Sequence, residues 1–458
     1  MTPLLSIIIL AAGQGTRMKS DLPKVLHELG DRSLLEHVHD VARELGPRII
    51  QVVYGHGGEQ VRERLTHLRV QWVEQAQQRG TGHAVEMAMP RVPDDDIVLV
   101  LYGDVPLVRR ETLSRLVQAA EQSGFGLLTA TLTDPTGYGR IVRDARGKVA
   151  RIVEHKDANT AERAIAEINT GMMAIPARRL RAWLSRLENN NSQGEFYLTD
   201  VVGMAVGEGV EVQTVAPASL EEIMGVNNKQ QLAELERAYQ RLQAQQLMTQ
   251  GVTLRDPARC DVRGKVTVGR DVCIDINVLL SGEVRLGNRV NIGPNCVLRD
   301  VVVGDDVTIL ANSVIEQSVI GNHCAIGPFA RIRPETQLAD GARIGNFVEI
   351  KKAQVGPGSK INHLSYVGDT TVGANVNIGA GTITCNYDGA NKHQTIIGDD
   401  AFIGSGTQLV APVEVGAGAT IGAGSTICRD APAGELTLSR SPQKTVTGWK
   451  RPQKKSKH

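Results

Sequence analysis

Two hydrophobic rhythms divide the chain. Up to about residue 227, short apolar runs alternate with segments of helical spacing. Residues 6–10 (SIIIL), 48–54 (RIIQVVY) and 97–101 (IVLVL) read as buried strands. Residues 33–45 put Leu34, Val38, Val41 and Leu45 on one helical face. This alternation predicts an α/β sheet, largely parallel and covered on both faces. Residues 228–250 contain no Gly or Pro and space Leu232, Leu235, Tyr239 and Leu242 by three or four. They predict one amphipathic connecting helix about 30 Å long.

From about residue 252 the period becomes six. Aliphatics stand at Val268, Ile274, Leu280, Leu286, Ile292 and Leu298, resume after five-residue steps at Val303 and Ile320, and continue to Ile378. A second run extends from Ile397 to Ile427. This hexapeptide pattern predicts a parallel β-helix, with the aliphatic of every repeat pointing inward and small residues turning the corners. Residues 384–395 (TCNYDGANKHQT) break the period, so they must leave the prism as a loop. Asn386, Tyr387, Asn391, Lys392 and His393 make that loop a functional candidate.

Composition narrows the class. The 458 residues carry a formal charge of +1, which argues against a dedicated nucleic-acid binder. Aromatics are 3% and glycines number 48, as suits a narrow repetitive core. The apolar run at 4–12 is too short to span a membrane and lacks a basic start, and no other stretch is long enough. The six cysteines form no C-x-x-C pair and no zinc cluster, so they read as reduced thiols of a cytoplasmic protein. From residue 439 the tail carries Arg440, Lys444, Lys450, Arg451, Lys454, Lys455 and Lys457 with no acid, and its last ten residues read as a solvated end.

The first half holds phosphate-type chemistry. Residues 10–18 (LAAGQGTRM) follow a strand with a glycine loop, and Arg17 and Lys24 add positive charge. The loop is neither a dinucleotide fingerprint nor a Walker A motif. Residues 75–84 (QAQQRGTGHA) form a second glycine loop. Asp104 ends a buried strand at the edge where parallel sheets bind ligands; taken alone it reads equally well as a capping residue. Magnesium needs only one or two protein oxygens beside substrate phosphates.

The blocks LAAGQGTRM, LPKVLH, QRGTGHA, LYGDVPL, TGYGRI, INTG and GVNN occur in this order and resemble the sugar-nucleotide pyrophosphorylases. Joined to a hexapeptide β-helix, the chain resembles the bifunctional N-acetylglucosamine-1-phosphate uridylyltransferase/glucosamine-1-phosphate N-acetyltransferase family. The resemblance implies a Rossmann-like mixed sheet (residues 1–227), a helical linker (228–250) and a left-handed parallel β-helix with a basic tail (251–458). It implies that Leu10, Ala11, Ala12 and Gly13 hold the uracil and ribose of UTP, and that Gln75, Gly80 and Thr81 read the uracil edge. Arg17 and Lys24 would neutralise the triphosphate, Asp104 and Asn227 would ligate Mg²⁺, and Tyr102, Gly103, Gly139, Glu154 and Asn169 would line the sugar site.

In the second half, the segment INHLSYVGD implies that His363 is the acetyl-transfer base; unaided, a lone histidine in a solenoid reads as a surface residue. Glu349 is a weaker candidate to orient it, because fourteen residues are not one coil. Arg333 and Lys351 are one coil apart and should stack, a pattern suited to a sugar phosphate. Tyr366, Asn377, Asn386 and Tyr387 would contact the sugar, and Ala380, Ser405, Ala423 and Arg440 would contact acetyl-CoA. Such acyltransferases are homotrimers with sites between neighbouring prisms. The reading is therefore a two-site enzyme making UDP-N-acetylglucosamine: His363, the Arg333/Lys351 pair and the Asn386-Tyr387 loop argue against a single-activity nucleotidyltransferase with a regulatory β-helix, and Arg17, Lys24, Asp104 and Asn227 argue against a non-catalytic scaffold.

Overall fold

The structure is a computed structural model that describes residues 4–13, 15–55 and 58–454. Lys455 and Lys457 of the basic tail lie outside the described residues. The chain forms two compact units that divide between Tyr239 and Gln240, within the helix Lys229–Thr249.

The first unit is built on a mixed sheet. Leu5–Ala11 runs parallel to Ile49–Gly55 on one side and to Ile97–Tyr102 on the other. Gln71–Gln75 extends the sheet beyond Ile49–Gly55. Glu167–Pro176 is antiparallel to Ile97–Tyr102 and to Gly126–Thr131. Ile7, Ile8 and Ile9 are all fully buried because both faces are covered. Ile7 and Ile9 belong to the core that includes Leu35 and Val38, whereas Ile8 belongs to the one that includes Val85, Ala88 and Trp183. Helix Leu34–Glu44 starts at a capping box: Ser33 Oγ accepts from the Glu36 N–H at 3.2 Å, and the Glu36 carboxylate accepts from the Ser33 N–H at 2.8 Å.

This strand order fixes the place of a ligand. The chain leaves Leu5–Ala11 in one direction through Ile49–Gly55 and Gln71–Gln75, then returns to its other side as Ile97–Tyr102. The reversal is a topological switch point, where a crevice opens beyond the carboxyl ends of the strands. Leu10 and Tyr102 are side by side there, and the Gly103 N–H donates to the Leu10 carbonyl at 2.9 Å.

The second unit is a parallel β-helix. Ile274, Ile292, Ile309, Ile326, Ile344, Ile361, Ile378, Ile403 and Ile421 form one buried column, each paired with the next. The six-residue aliphatics thus make the core continuous. Phe329, Phe347, Phe402 and Tyr387 lie on its exterior. The insertion is visible in the register: Gln354 pairs with Thr371 across 17 residues, but Thr370 pairs with Thr395 across 25, eight more. The extra residues fold back through an isolated bridge between Tyr387 and Lys392.

All six cysteines are free thiols, and burial pushes those of Cys260 and Cys324 up to about 11. Among the described residues, no helix is long and apolar enough to cross a membrane. Beyond Leu436–Thr437 the described tail forms no helix or strand, and nearly all of it is exposed.

Two candidate active sites

A cavity of about 380 Å³ opens at the switch point of the first unit. Leu10, Ala11, Ala12 and Gly13 form one wall, and Gln75, Gly80 and Thr81 form another. Gly80 has φ +106°, and a Cβ there would lie 2.6 Å from the Phe196 carbonyl, so only glycine fits. Thr81 opens the helix Thr81–Ala88, and the Gly82 N–H that follows donates to the Phe196 carbonyl at 2.8 Å. The Gln75 amide donates to the Gly80 carbonyl at 3.0 Å and fixes this loop.

Charge converges at the opposite side. The Val226 N–H donates to the Asp104 carbonyl at 3.0 Å, bringing the GVNN segment against the strand end. The Lys24 ammonium pairs with the Asp104 carboxylate and lies 3.3 Å from Asn227 Oδ1. Arg17 Nη2 donates to the same amide oxygen at 3.0 Å. Residues distant in sequence therefore meet as two cations around two side-chain oxygens.

Tyr102 leads from this cluster to a second group. A Cβ on Gly171 would lie 2.5 Å from the Tyr102 ring. The Asn169 N–H donates to the Gly139 carbonyl at 2.8 Å, and Asn169 Oδ1 accepts from the Gly171 N–H at 2.9 Å. The Glu154 carboxylate accepts from Thr199 Oγ1 at 3.0 Å and lies 3.4 Å from where a Gly139 Cβ would sit. Burial, reinforced by Asp200 and Asp157, raises the Glu154 carboxyl above the usual range. Burial also raises the Tyr102 phenol. Gln78 and Glu195 also line the cavity, and the sequence reading missed both. The Gln78 amide donates to the Ala12 carbonyl and so links the two glycine loops.

The β-helix gathers a different set. Ile332 pairs with Ile350, so Arg333 and Lys351 occupy adjacent coils, and the Arg333 N–H donates to the Ile350 carbonyl at 2.8 Å. Arg333 Nη1 lies 2.7 Å from Glu349 Oε1. Lys392 of the inserted loop touches Lys351, which lowers its pKa by direct contact and like charge. Lys392 is a site candidate that periodicity could not supply. Tyr366 pairs with Glu349 in register, its hydroxyl is 3.5 Å from Asn386 Nδ2, and that amide also donates to Asp369 at 2.5 Å. Asn377 lies one coil beyond Lys360, and the exposed Tyr387 donates to the Gly389 carbonyl at 2.6 Å.

His363 begins a column along one prism edge. The Gly381 N–H donates to the His363 carbonyl at 3.2 Å, the Gly406 N–H to Ala380 at 2.7 Å, and the Gly424 N–H to Ser405 at 2.8 Å. His363, Ala380, Ser405 and Ala423 therefore stack on successive coils. Arg440 follows, its Cδ 3.9 Å from where a Gly424 Cβ would be. The neighbouring corner carries the exposed Phe329, Phe347 and Leu364 up to the His363 coil, then only Gly381, Gly406 and Gly424. Bulky side chains thus give way to an open strip above the histidine. The ring of His363 bonds to Asn346 Oδ1 at 3.0 Å, not to Glu349, which is engaged by Arg333.

Comparison with known proteins agrees with this two-part architecture. The model of the MobA-like NTP transferase domain matches residues 7–194, and the bacterial transferase hexapeptide model matches residues 394–429. The GMPPB C-terminal domain model matches residues 262–341. The bifunctional protein GlmU of Methylococcus capsulatus is 60% identical over 451 residues, which cover 98% of each chain. The proteins of the same name from Alkalilimnicola ehrlichii and Azoarcus sp. are 57% and 58% identical, covering 99% and 98% of this chain and 97% and 100% of theirs. With a nucleotidyltransferase-type sheet, a hexapeptide β-helix and this identity across both, the chain belongs to the bifunctional GlmU family.

Proposed function

We propose that the two sites make UDP-N-acetylglucosamine in sequence. The β-helix transfers acetyl from acetyl-CoA to glucosamine-1-phosphate. The first unit then couples the product to UTP and releases pyrophosphate.

For uridylyl transfer, the sugar-phosphate oxygen attacks the α-phosphorus of UTP. A new P–O bond forms, and the bond to the bridging oxygen breaks in line. The nucleophile is already ionised, so the residues act by positioning and neutralisation. Arg17 and Lys24 meet the triphosphate, the walls at 10–13 and at Gln75, Gly80 and Thr81 hold the nucleoside, and Tyr102, Gly103, Gly139, Glu154 and Asn169 hold the sugar. Asp104 and Asn227 suit a divalent cation, since the Lys24 ammonium already draws both oxygens together. Mg²⁺ held there supplies charge neutralisation at the phosphates.

For acetyl transfer, Arg333 and Lys351, with Lys392 beside them, receive the phosphate. Tyr366, Asn377, Asn386 and Tyr387 contact the sugar. His363 takes a proton from the substrate amine, whose nitrogen attacks the thioester carbon. The C–N bond forms, the C–S bond breaks, and the proton passes to the departing thiolate. The observation that carries this reading is the column from His363 through Ala380, Ser405 and Ala423 to Arg440. At about 4.8 Å per coil it extends about 19 Å, an open strip suited to the extended pantetheine arm, with Arg440 at the phosphate end.

We also propose a cytoplasmic homotrimer. The free thiols support the compartment. The corner formed by Phe329, Phe347 and Leu364 supports the assembly: the two phenyl rings stack at 5.2 Å, and all three side chains remain exposed on their own chain.

The test follows free thiol and pyrophosphate separately in one reaction. The reading expects both products, with EDTA abolishing pyrophosphate formation alone. Pyrophosphate formed only when N-acetylglucosamine-1-phosphate is supplied, with no thiol released, would make the β-helix structural or regulatory, and no pyrophosphate even then would leave a scaffold.

A further inference from the structure

The His363 ring is held from below. Asn346 and His363 are register partners 17 residues apart, one coil, and the Leu364 N–H donates to the Asn346 carbonyl at 3.1 Å. Gly345 makes this contact close: a Cβ there would lie 2.0 Å from the Asn362 carbonyl. The amide oxygen of Asn346 is 3.0 Å from His363 Nδ1. Its column neighbours cannot substitute, since Pro328 lies below Asn346 and Ala380 lies above His363. Glu349 is held by Arg333. Arg343 and Lys360 are the charged register partners on the same strands.

We infer that Asn346 is a positioning residue that fixes the tautomer of the His363 base. An amide oxygen only accepts, so the ring bonded to it carries its proton on Nδ1. Nε2 is then the free lone pair, facing away from the prism coil that holds Asn346. The amide is neutral, so it orients the ring without placing a charge beside it. This inference rests on the reading of His363 as the base.

The test uses full-length protein with Asn346→Ala, Asn346→Asp and His363→Ala, reading thiol release against pH, KM for both substrates, and the ¹⁵N shifts of the His363 ring. Asn346→Ala should lower kcat about tenfold, the worth of one hydrogen bond, with both KM values unchanged and the ring shifts moved to a tautomer mixture. Asn346→Asp should recover most of kcat and move the acid limb to higher pH. Wild-type kcat and ring shifts in Asn346→Ala, with His363→Ala inactive, would overturn the inference alone. Failure of Asn346→Asp to recover rate would also overturn it. An active His363→Ala would instead overturn the base assignment on which it rests.

Discussion

The ammonium of Lys24 pairs with the carboxylate of Asp104 where Asn227 also turns its amide oxygen inward. A lysine in this position does two jobs that pull apart. On the proposed reading it neutralises the nucleotide phosphates, and without nucleotide it occupies the seat that a divalent cation would need. Lys24→Met should therefore lower pyrophosphate formation about 10²–10³-fold, the usual loss of one charge stabiliser. The same variant should bind Mn²⁺ more tightly than wild type when UTP is absent, which Mn²⁺ electron paramagnetic resonance titration measures directly.

Glu154 is a buried acid of the proposed sugar site. Burial raises its carboxyl, with Asp200 and Asp157 adding to the rise. The folded state then binds the proton more tightly than the unfolded state, so stability falls as pH rises from the unfolded value through the raised folded one. Glu154→Gln removes the buried charge. It should raise the melting temperature by a few degrees at neutral pH, leave it near wild type in acid, and raise KM for N-acetylglucosamine-1-phosphate. Melting curves at two pH values check the sign.

The proposed acetyl-CoA strip depends on small side chains. Ser405→Phe fills the column between Ala380 and Ala423 from outside the core. KM for acetyl-CoA should rise at least about tenfold, the loss of a well-formed contact. KM for glucosamine-1-phosphate and pyrophosphate formation should hold. Steady-state kinetics on each substrate separates the two.

Arg333 and Lys351 are the proposed phosphate receivers for the other substrate. Arg333→Ala leaves Glu349 without its 2.7 Å partner and removes one phosphate donor. KM for glucosamine-1-phosphate should rise about 10–100-fold, the range of a charged hydrogen bond. Arg333→Lys should recover only part of this, because it lacks the planar fork.

Much of this architecture is legible along the chain, for physical reasons. A six-residue aliphatic period has no other packing that buries every member, so the column from Ile274 to Ile421 follows from spacing. Arg333 and Lys351 follow from the same arithmetic. The partner of His363 follows too, because Asn346 is one coil earlier, yet the nearby acid Glu349 drew attention. Lys392 is different: its contact with Lys351 depends on how an aperiodic loop folds back at Tyr387. In the first unit, Asp104 alone reads equally as a cap. Its meeting with Lys24 and Asn227 is made by tertiary contacts such as the Val226 to Asp104 hydrogen bond. Such closures carry no local pattern, and only the ordered motif blocks pointed to them.

The central claim is that one chain carries two separable chemistries. Mixing two variants tests it most directly. His363→Ala and Asp104→Ala are each given glucosamine-1-phosphate, acetyl-CoA, UTP and Mg²⁺, then combined, and UDP-N-acetylglucosamine is measured. Neither variant alone should form it, and the mixture should, because the acetylated intermediate made by one is consumed by the other. Product from His363→Ala alone, or a silent mixture of folded variants, would contradict the account.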